Sequence, residues 1–130
     1  MALLRIEKNN GIATVYLNRP DKRNAMSFAL LKELVSTAKA IKKDRDIRCV
    51  ILTGEGNVFS AGIDLSDLNN PKNSAFAIWE LVKPGQSLFQ KAFLTWQNLP
   101  VPVIAALEGY CFGAGMQLAL AADIRISHPE

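Results

Sequence analysis

Short apolar runs rich in β-branched residues alternate along this chain with longer segments of helical periodicity. Two β-rich runs, 3–8 and 12–18, are joined by Asn9-Asn10-Gly11, which supplies residues tolerant of positive φ and therefore predicts a hairpin. The continuous apolar run 49–53 predicts a strand buried on both faces. Further strands are predicted at 103–107 and 124–127. This alternation of strands and helices predicts an α/β fold.

Three segments carry the apolar spacing of helices. Ser27 is a suitable N-cap for a helix that runs to about Lys43 with its apolar residues on one face. Residues 87–99 predict a second amphipathic helix. Residues 115–122 are rich in alanine and leucine and predict a nearly all-apolar, buried helix.

The stretch between Asp64 and Pro84 gives a mixed signal. It combines loop chemistry around Pro71 with a possible short helix at 75–82, and a lid or binding loop would fit there. Trp79 and Trp96 are expected in the core. We expect neither to contact a cofactor.

Composition and charge exclude several functional classes. The 130 residues suffice for one domain with a real core, and 49% of them are hydrophobic. The net charge of +3 comes from scattered basic residues that aromatic residues do not interleave, which argues against nucleic-acid binding. No apolar run approaches the ~18 residues that a membrane span needs. We therefore expect a soluble, cytoplasmic protein without membrane or nucleic-acid partners.

Cysteine and histidine usage gives no sign of a metal site or of a nucleophilic triad. Cys49 and Cys111 lack C-x-x-C spacing and are expected to be buried small apolar side chains. His128 is the only histidine and lies close to the end of the sequence, which nearly excludes a Ser-His or Cys-His device within these residues. Ser60 accordingly receives no nucleophilic role.

Two glycine-bearing segments suggest a binding site for a developing negative charge. They are FSAGID, residues 59–64, and GYCFGAGMQ, residues 109–117. Each follows an apolar β-type run and leads towards a helix, so backbone N–H groups of both could converge on one oxyanion. The alternative is that both are simply tight turns. The lone G-x-G at Gly113 to Gly115 lacks the third glycine of a dinucleotide fingerprint.

Three longer segments resemble the crotonase superfamily, the enoyl-CoA hydratase/isomerase family. They are IATVYLNRPDKRNAMS (12–27), VFSAGIDLSDL (58–68) and PVIAALEGYCFGAGMQLALAADIRIS (102–127). The resemblance implies a spiral of repeated β-β-α turns, followed by a helical region that trimerises. Because the chain ends at Glu130, about where the first half of the spiral would be complete, residues 1–130 are expected to form the N-terminal part of an acyl-CoA-binding core domain, with the C-terminal part of the fold absent.

The resemblance also implies a substrate and its contacts. The substrate is an acyl-CoA thioester, with no cofactor other than the coenzyme A that it carries and no metal. Backbone N–H groups of Ile63 and Ala114 would form the oxyanion hole, and Arg23 would contact a CoA phosphate, with an exposed surface cation as the alternative for Arg23. The implied substrate and CoA contacts are Arg23, Asn24, Ala25, Ala61, Gly62, Ile63, Asp64, Leu65, Ser66, Gly113 and Ala114. The implied assembly is a homotrimer or a dimer of trimers.

Gln117 is the main departure from the family pattern. It stands where hydratases of this family carry the first of two catalytic glutamates, and the second would fall beyond Glu130. An amide can hydrogen-bond a substrate or a water but cannot act as a general acid or base. We therefore favour a one-base reaction, the Δ3,Δ2-isomerisation of an enoyl-CoA. The alternatives are an enoyl-CoA hydratase and a CoA-binding or assembly protein without turnover. The remaining acids, Glu80, Glu108 and Asp123, are expected to cap elements or to face solvent.

Overall fold

A five-stranded sheet organises the computed structural model, which describes residues 3–56, 58–62, 88–109, 111 and 113–127. The strand order is β1-β2-β3-β4-β5, so each strand pairs with its neighbours in chain order. The β1–β2 pair is antiparallel and the other pairs are parallel. The strands are β1 (Leu4–Asn9), β2 (Ile12–Leu17), β3 (Cys49–Gly54), β4 (Val103–Leu107) and β5 (Ile124–Ser127).

The predicted hairpin is confirmed. Strands β1 and β2 pair from Leu4 opposite Leu17 to Asn9 opposite Ile12. Its two central turn residues, Asn10 and Gly11, have φ of 52° and 84°. Two consecutive positive φ angles match the twist of the flanking strands, and asparagine and glycine adopt them at low cost.

One face of the sheet is buried and the other is half exposed. The register aligns Ala13 with Val50 and Val15 with Leu52, and all four side chains are fully buried. The alternate residues of β3 are half buried, so the prediction of a strand buried on both faces was wrong. The physical reason is that β3 obeys the ordinary alternation of strand side chains and only one of its faces meets the core.

The described helices are α1 (Phe28–Lys43), α2 (Leu88–Gln97) and α3 (Ala114–Ala121). Helix α1 begins as predicted, because the Ser27 hydroxyl accepts a hydrogen bond of 3.1 Å from the Leu30 N–H. Helix α1 packs against α2, and α2 packs against α3. Trp96 is fully buried in the core, as predicted, whereas Trp79 and the possible helix at 75–82 lie outside the described residues.

Helix α3 is only half buried, which corrects the prediction of a buried helix. Leu118, Ala119 and Ala121 face the core, but Met116 and Leu120 are 50% and 59% exposed. Met116 and Leu120 are four residues apart and therefore lie on the same helix face, which meets solvent. The two cysteines are likewise half buried where full burial was expected.

The predicted α/β class is confirmed by these strands and helices. Within the described part of the chain, no helix combines the length and the apolar character that a membrane crossing requires.

Candidate active site

The two glycine-bearing segments lie side by side at the ends of β3 and β4. Ser60 and Cys111 form an isolated parallel β-bridge between them. A Cβ atom built on Gly113 would lie 4.0 Å from the Cα atom of Gly62, so the two main chains pass close to each other. Gly62 and Gly113 have φ of 102° and 50°, a region that favours glycine. The structure thus brings the described residues of the two predicted segments together.

A polar loop from Arg19 to Met26 lies against the first glycine segment. It contains a short 3-10 turn, Pro20–Lys22, followed by positive φ at Arg23 and Asn24. The Ala61 N–H donates to the Arg23 carbonyl at 3.0 Å, and the Met26 N–H donates to the Gly62 carbonyl at 2.7 Å. These two bonds hold the loop beside the glycines, so the predicted contacts at 23–25 and 61–62 belong to one surface. Arg23 is exposed there, and Ala25 and Ala61 are half buried.

Asn24 has a structural role that its sequence position did not reveal. Its side chain is fully buried, and its amide oxygen accepts from the Arg19 N–H at 2.8 Å. Its amide nitrogen donates to the carbonyls of Glu55 and Val58, both at 3.0 Å. These bonds occupy the side chain with main-chain partners, so Asn24 shapes the loop from within. Contact between Asn24 and coenzyme A stays a prediction.

Close packing against Asn24 and Val58 requires a glycine at position 54. A Cβ on Gly54 would lie 2.3 Å from the Val58 carbonyl oxygen and 2.7 Å from the Asn24 amide nitrogen. A side chain at this position would therefore push the two loops apart. Glycine at the end of β3 lets the chain fold tightly into the first glycine segment.

Ser60 lies buried between the two segments. Its hydroxyl donates to the Asn24 carbonyl at 2.9 Å and accepts from the Gly62 N–H at 3.1 Å. Ser60 is fully buried, and a Cβ on Gly115 would approach its Cβ to 2.7 Å. No nucleophilic role was predicted for Ser60, and its hydroxyl forms hydrogen bonds with two main-chain groups. Its position as a link between loops had no local sequence signal.

The second glycine segment leads directly into α3. Gly113 is the N-cap residue, and its carbonyl accepts the first helical bond, from the Gln117 N–H at 3.1 Å. Helix geometry leaves the N–H of Ala114, at the first helical position, without an acceptor inside the helix. The positive end of the helix dipole also lies there. Both properties favour an anion next to this N–H.

Gln117 lines an open groove between α2 and α3 with a volume of about 370 Å³. This volume falls within the range of ~300–1,000 Å³ that is typical of small-molecule sites. The lining residues are Gln90, Phe93, Leu94, Gln97, Gln117, Leu120 and Ala121. The α2 residues among them have i, i+3, i+4, i+7 spacing, which places them on one helix face. The apolar pattern of residues 87–99 predicted this helix, but two of these four residues are glutamines, so the pattern did not mark this face as a groove.

The remaining candidate groups have simple environments. Asp123 caps the start of β4, because its carboxylate accepts from the Val103 N–H at 2.9 Å. Glu108 is exposed after β4, and burial raises the pKa of the Cys111 thiol, which disfavours its nucleophilic thiolate form. The described ranges contain no group of three potential metal-binding side chains. Ile63, Asp64, Leu65, Ser66 and Glu80 lie outside the described residues.

Comparison with known proteins identifies the family. Residues 7–130 match the family model described as enoyl-CoA hydratase/isomerase. The chain is 43% identical over 116 residues to the mitochondrial Delta(3,5)-Delta(2,4)-dienoyl-CoA isomerase of Rattus norvegicus, covering 85% of this chain and 36% of that protein. It is 38% identical over 122 residues to the mitochondrial methylglutaconyl-CoA hydratase of Mus musculus, covering 93% and 37%.

Solved structures agree with the sequence relatives. An enoyl-CoA hydratase/carnithine racemase from Magnetospirillum magneticum superimposes with a TM-score of 0.83 at 35% identity, covering 98% of this chain and 46% of that one. The chain therefore spans about half, or less, of the length of these related proteins. The resemblance seen in the three sequence segments is confirmed, and the chain belongs to the enoyl-CoA hydratase/isomerase family.

Proposed function

We propose that the protein binds an acyl-CoA thioester and stabilises its enolate with the backbone N–H groups of Ile63 and Ala114. The observation that carries the proposal is the close approach of the two glycine segments, with 4.0 Å between a Cβ on Gly113 and the Gly62 Cα. Donors preorganised for a developing oxyanion contribute about 3 kcal/mol each when water is excluded. The named relatives include both an isomerase and a hydratase of CoA thioesters, which supports this substrate class.

The reaction that we propose is the shift of a double bond from C3 to C2 of an enoyl-CoA. A single base removes a proton from C2, and the electron pair moves onto the thioester oxygen to give a dienolate. The same group then returns the proton at C4, which leaves the double bond between C2 and C3. Gln117 supports a one-base reaction because its amide cannot supply the second proton-transferring group that hydration requires. By resemblance, the base lies downstream of Glu130.

The substrate is proposed to extend in two directions from the oxyanion. Its acyl part would lie in the groove between α2 and α3, which Gln117 lines three residues after Ala114. Its coenzyme A part would lie along the loop containing Arg23 and the residues Ala61 to Ser66, with the Arg23 guanidinium near a CoA phosphate. Coenzyme A would enter only as part of the substrate. The assembly proposed by family resemblance is a homotrimer or a dimer of trimers.

The experiment that tests the reaction compares three substrates with the protein at its natural length. A 3-enoyl-CoA, a 3,5-dienoyl-CoA and crotonyl-CoA are supplied separately, and the products are separated by chromatography. Conversion of the 3-enoyl-CoA to the 2-enoyl-CoA is the expected result. Activity on crotonyl-CoA alone would replace isomerisation with hydration, the second candidate. The dienoyl substrate is included because of the 43% identity to a dienoyl-CoA isomerase.

A binding measurement separates both reactions from a protein without turnover. In isothermal titration calorimetry, a non-reactive saturated acyl-CoA is expected to bind and to be displaced by coenzyme A. Binding without conversion of any of the three substrates would favour a CoA-binding or assembly protein. Absence of both binding and conversion would exclude the proposed substrate class.

A further inference from the structure

The Ser60 hydroxyl makes two hydrogen bonds in a place where no solvent reaches it. The side chain is 0% exposed, and its Oγ atom donates one hydrogen bond, to the Asn24 carbonyl, and accepts one from the Gly62 N–H. Both partners are main-chain atoms. Burying a hydroxyl is favourable only when such bonds compensate the lost hydration. The hydroxyl thus links the main chain at Asn24 to the main chain at Gly62.

Three segments of the candidate active site meet at this residue. The Asn24 carbonyl belongs to the loop proposed to hold coenzyme A, and Gly62 belongs to the first glycine segment. The second segment contacts Ser60 twice, through the bridge to Cys111 and through the close approach of Gly115. A Cβ on Gly115 would lie 3.0 Å from the Ser60 carbonyl oxygen and 3.0 Å from its Oγ. Ser60 is therefore a contact shared by all three segments.

We propose that Ser60 is a positioning residue that fixes the spacing and orientation of the two glycine segments around the oxyanion. This inference rests on the proposed function, since it concerns the same site. Oxyanion donors act only within about 2.7–3.1 Å of the charged oxygen, and small misplacements reduce the rate strongly. Ser60 acts through the main chain of Gly62 and Gly115 and makes no contact with the substrate.

A positioning role and a purely structural role of Ser60 predict different effects on enolate stabilisation. If Ser60 only stabilised the fold, its loss would lower the amount of folded protein, and each folded molecule would react normally. If Ser60 positions the donors, each folded molecule binds the thioester as before and stabilises its enolate poorly. The value of kcat then falls while KM stays nearly constant.

The test uses Ser60→Ala in the protein at its natural length. Alanine keeps the Cβ atom that packs against Gly115 and removes only the hydroxyl. We expect kcat per folded molecule to fall about tenfold or more, with KM changed less than about twofold. Ser36→Ala is the matched control, because Ser36 is an exposed serine on α1 far from the glycine segments in sequence. The kcat of this variant should equal that of the unaltered protein.

A second measurement reads the enolate without turnover. Acetoacetyl-CoA ionises to an enolate with a distinct ultraviolet absorbance, whereas a saturated acyl-CoA does not. For Ser60→Ala we expect enolate binding to weaken about tenfold or more, while saturated acyl-CoA binds with unchanged affinity. Gly115→Ala provides an independent variant, because its Cβ would press on the Ser60 Cβ at 2.7 Å, and the same selective loss is expected.

The outcomes are separable. Unchanged kcat and enolate binding in Ser60→Ala would overturn the positioning role, and so would a variant that cannot fold or that loses saturated acyl-CoA binding equally. Failure of the unaltered protein to bind any acyl-CoA would instead refute the proposed function, and the positioning role with it.

Discussion

At the scale of a single residue, Gln117 supports the proposed choice of a one-base reaction. Gln117 lines the α2–α3 groove, and its amide cannot act as a general acid or base. We predict that Gln117→Glu, which adds an ionisable group of the same length, raises the hydration of crotonyl-CoA about tenfold or more, since general acid–base catalysis contributes ~10²–10⁴-fold. The loss of crotonyl-CoA absorbance measures this rate. Gln117→Leu is the control and should not hydrate, and equal hydration by both variants would contradict the prediction.

The buried side chain of Asn24 makes three hydrogen bonds to main-chain groups. We predict that Asn24→Ala lowers the free energy of unfolding by about 2–4 kcal/mol, because three hydrogen bonds to main-chain groups of half-buried residues are lost. Urea unfolding followed by circular dichroism measures the change. Asn98→Ala is the matched control at an exposed asparagine and should change stability by less than about 0.5 kcal/mol. A comparable loss in both variants would exclude the assigned role.

Such residue-scale roles were largely beyond prediction from the sequence. The bonds of Asn24 reach Glu55 and Val58, which are 31 and 34 residues away in the chain, and no local pattern marks them. The Ser60 link to Asn24 spans 36 residues. By contrast, the glycines at 62 and 113 were visible as turn residues, because their positive φ has a local cause.

Helix α1 illustrates the scale of the element. Ser27 caps its N-terminus by accepting from the Leu30 N–H. We predict that Ser27→Ala lowers the free energy of unfolding by about 1 kcal/mol, because one of the orphan N–H groups of the first turn loses its acceptor. Thermal or urea unfolding measures the difference.

The control for the cap lies in the same helix. Ser36 occupies an exposed position within α1, and Ser36→Ala should be neutral or slightly stabilising, since alanine has the higher helix propensity. A loss of stability in Ser36→Ala as large as that in Ser27→Ala would show that the cap is not responsible.

At the element scale, local signals predicted where elements begin and end better than which faces they bury. The hairpin and the α1 cap depend on adjacent residues, and both were predicted correctly. Apolar residues on two sides of β3 and α3 were taken to mean burial on two sides. Periodicity reports that a residue is apolar, but the partner that covers it is set by tertiary packing, and here Leu120 remains 59% exposed.

At the scale of the whole molecule, the two edges of the sheet differ in chemistry. Edge strand β1 carries Arg5, Glu7 and Lys8, charges of the kind that prevent edge-to-edge pairing. Edge strand β5 exposes Ile124 and Ile126, which are 52% and 59% exposed and lie on one side of the strand. Apolar surface that faces water favours association.

We predict that the 130-residue chain self-associates through the side that carries α3 and β5. Leu120→Lys combined with Ile126→Lys should lower the association constant about tenfold or more, because charged groups resist burial in an interface. Sedimentation velocity across a concentration series measures it. Ile6→Lys on β1, where the side chain is 49% exposed, is the control and should associate like the unaltered chain. A monomeric unaltered chain would refute the prediction.

The sequential strand order also bears on how the molecule is made. Among the described strands, in the order β1-β2-β3-β4-β5, none has to be inserted between two earlier ones. As the ribosome releases the polypeptide, the hairpin can close first, and each later strand can then pair with an edge that is already in place. Synthesis and sheet growth therefore proceed in the same direction, and the nascent chain can bury each finished strand before the next has emerged.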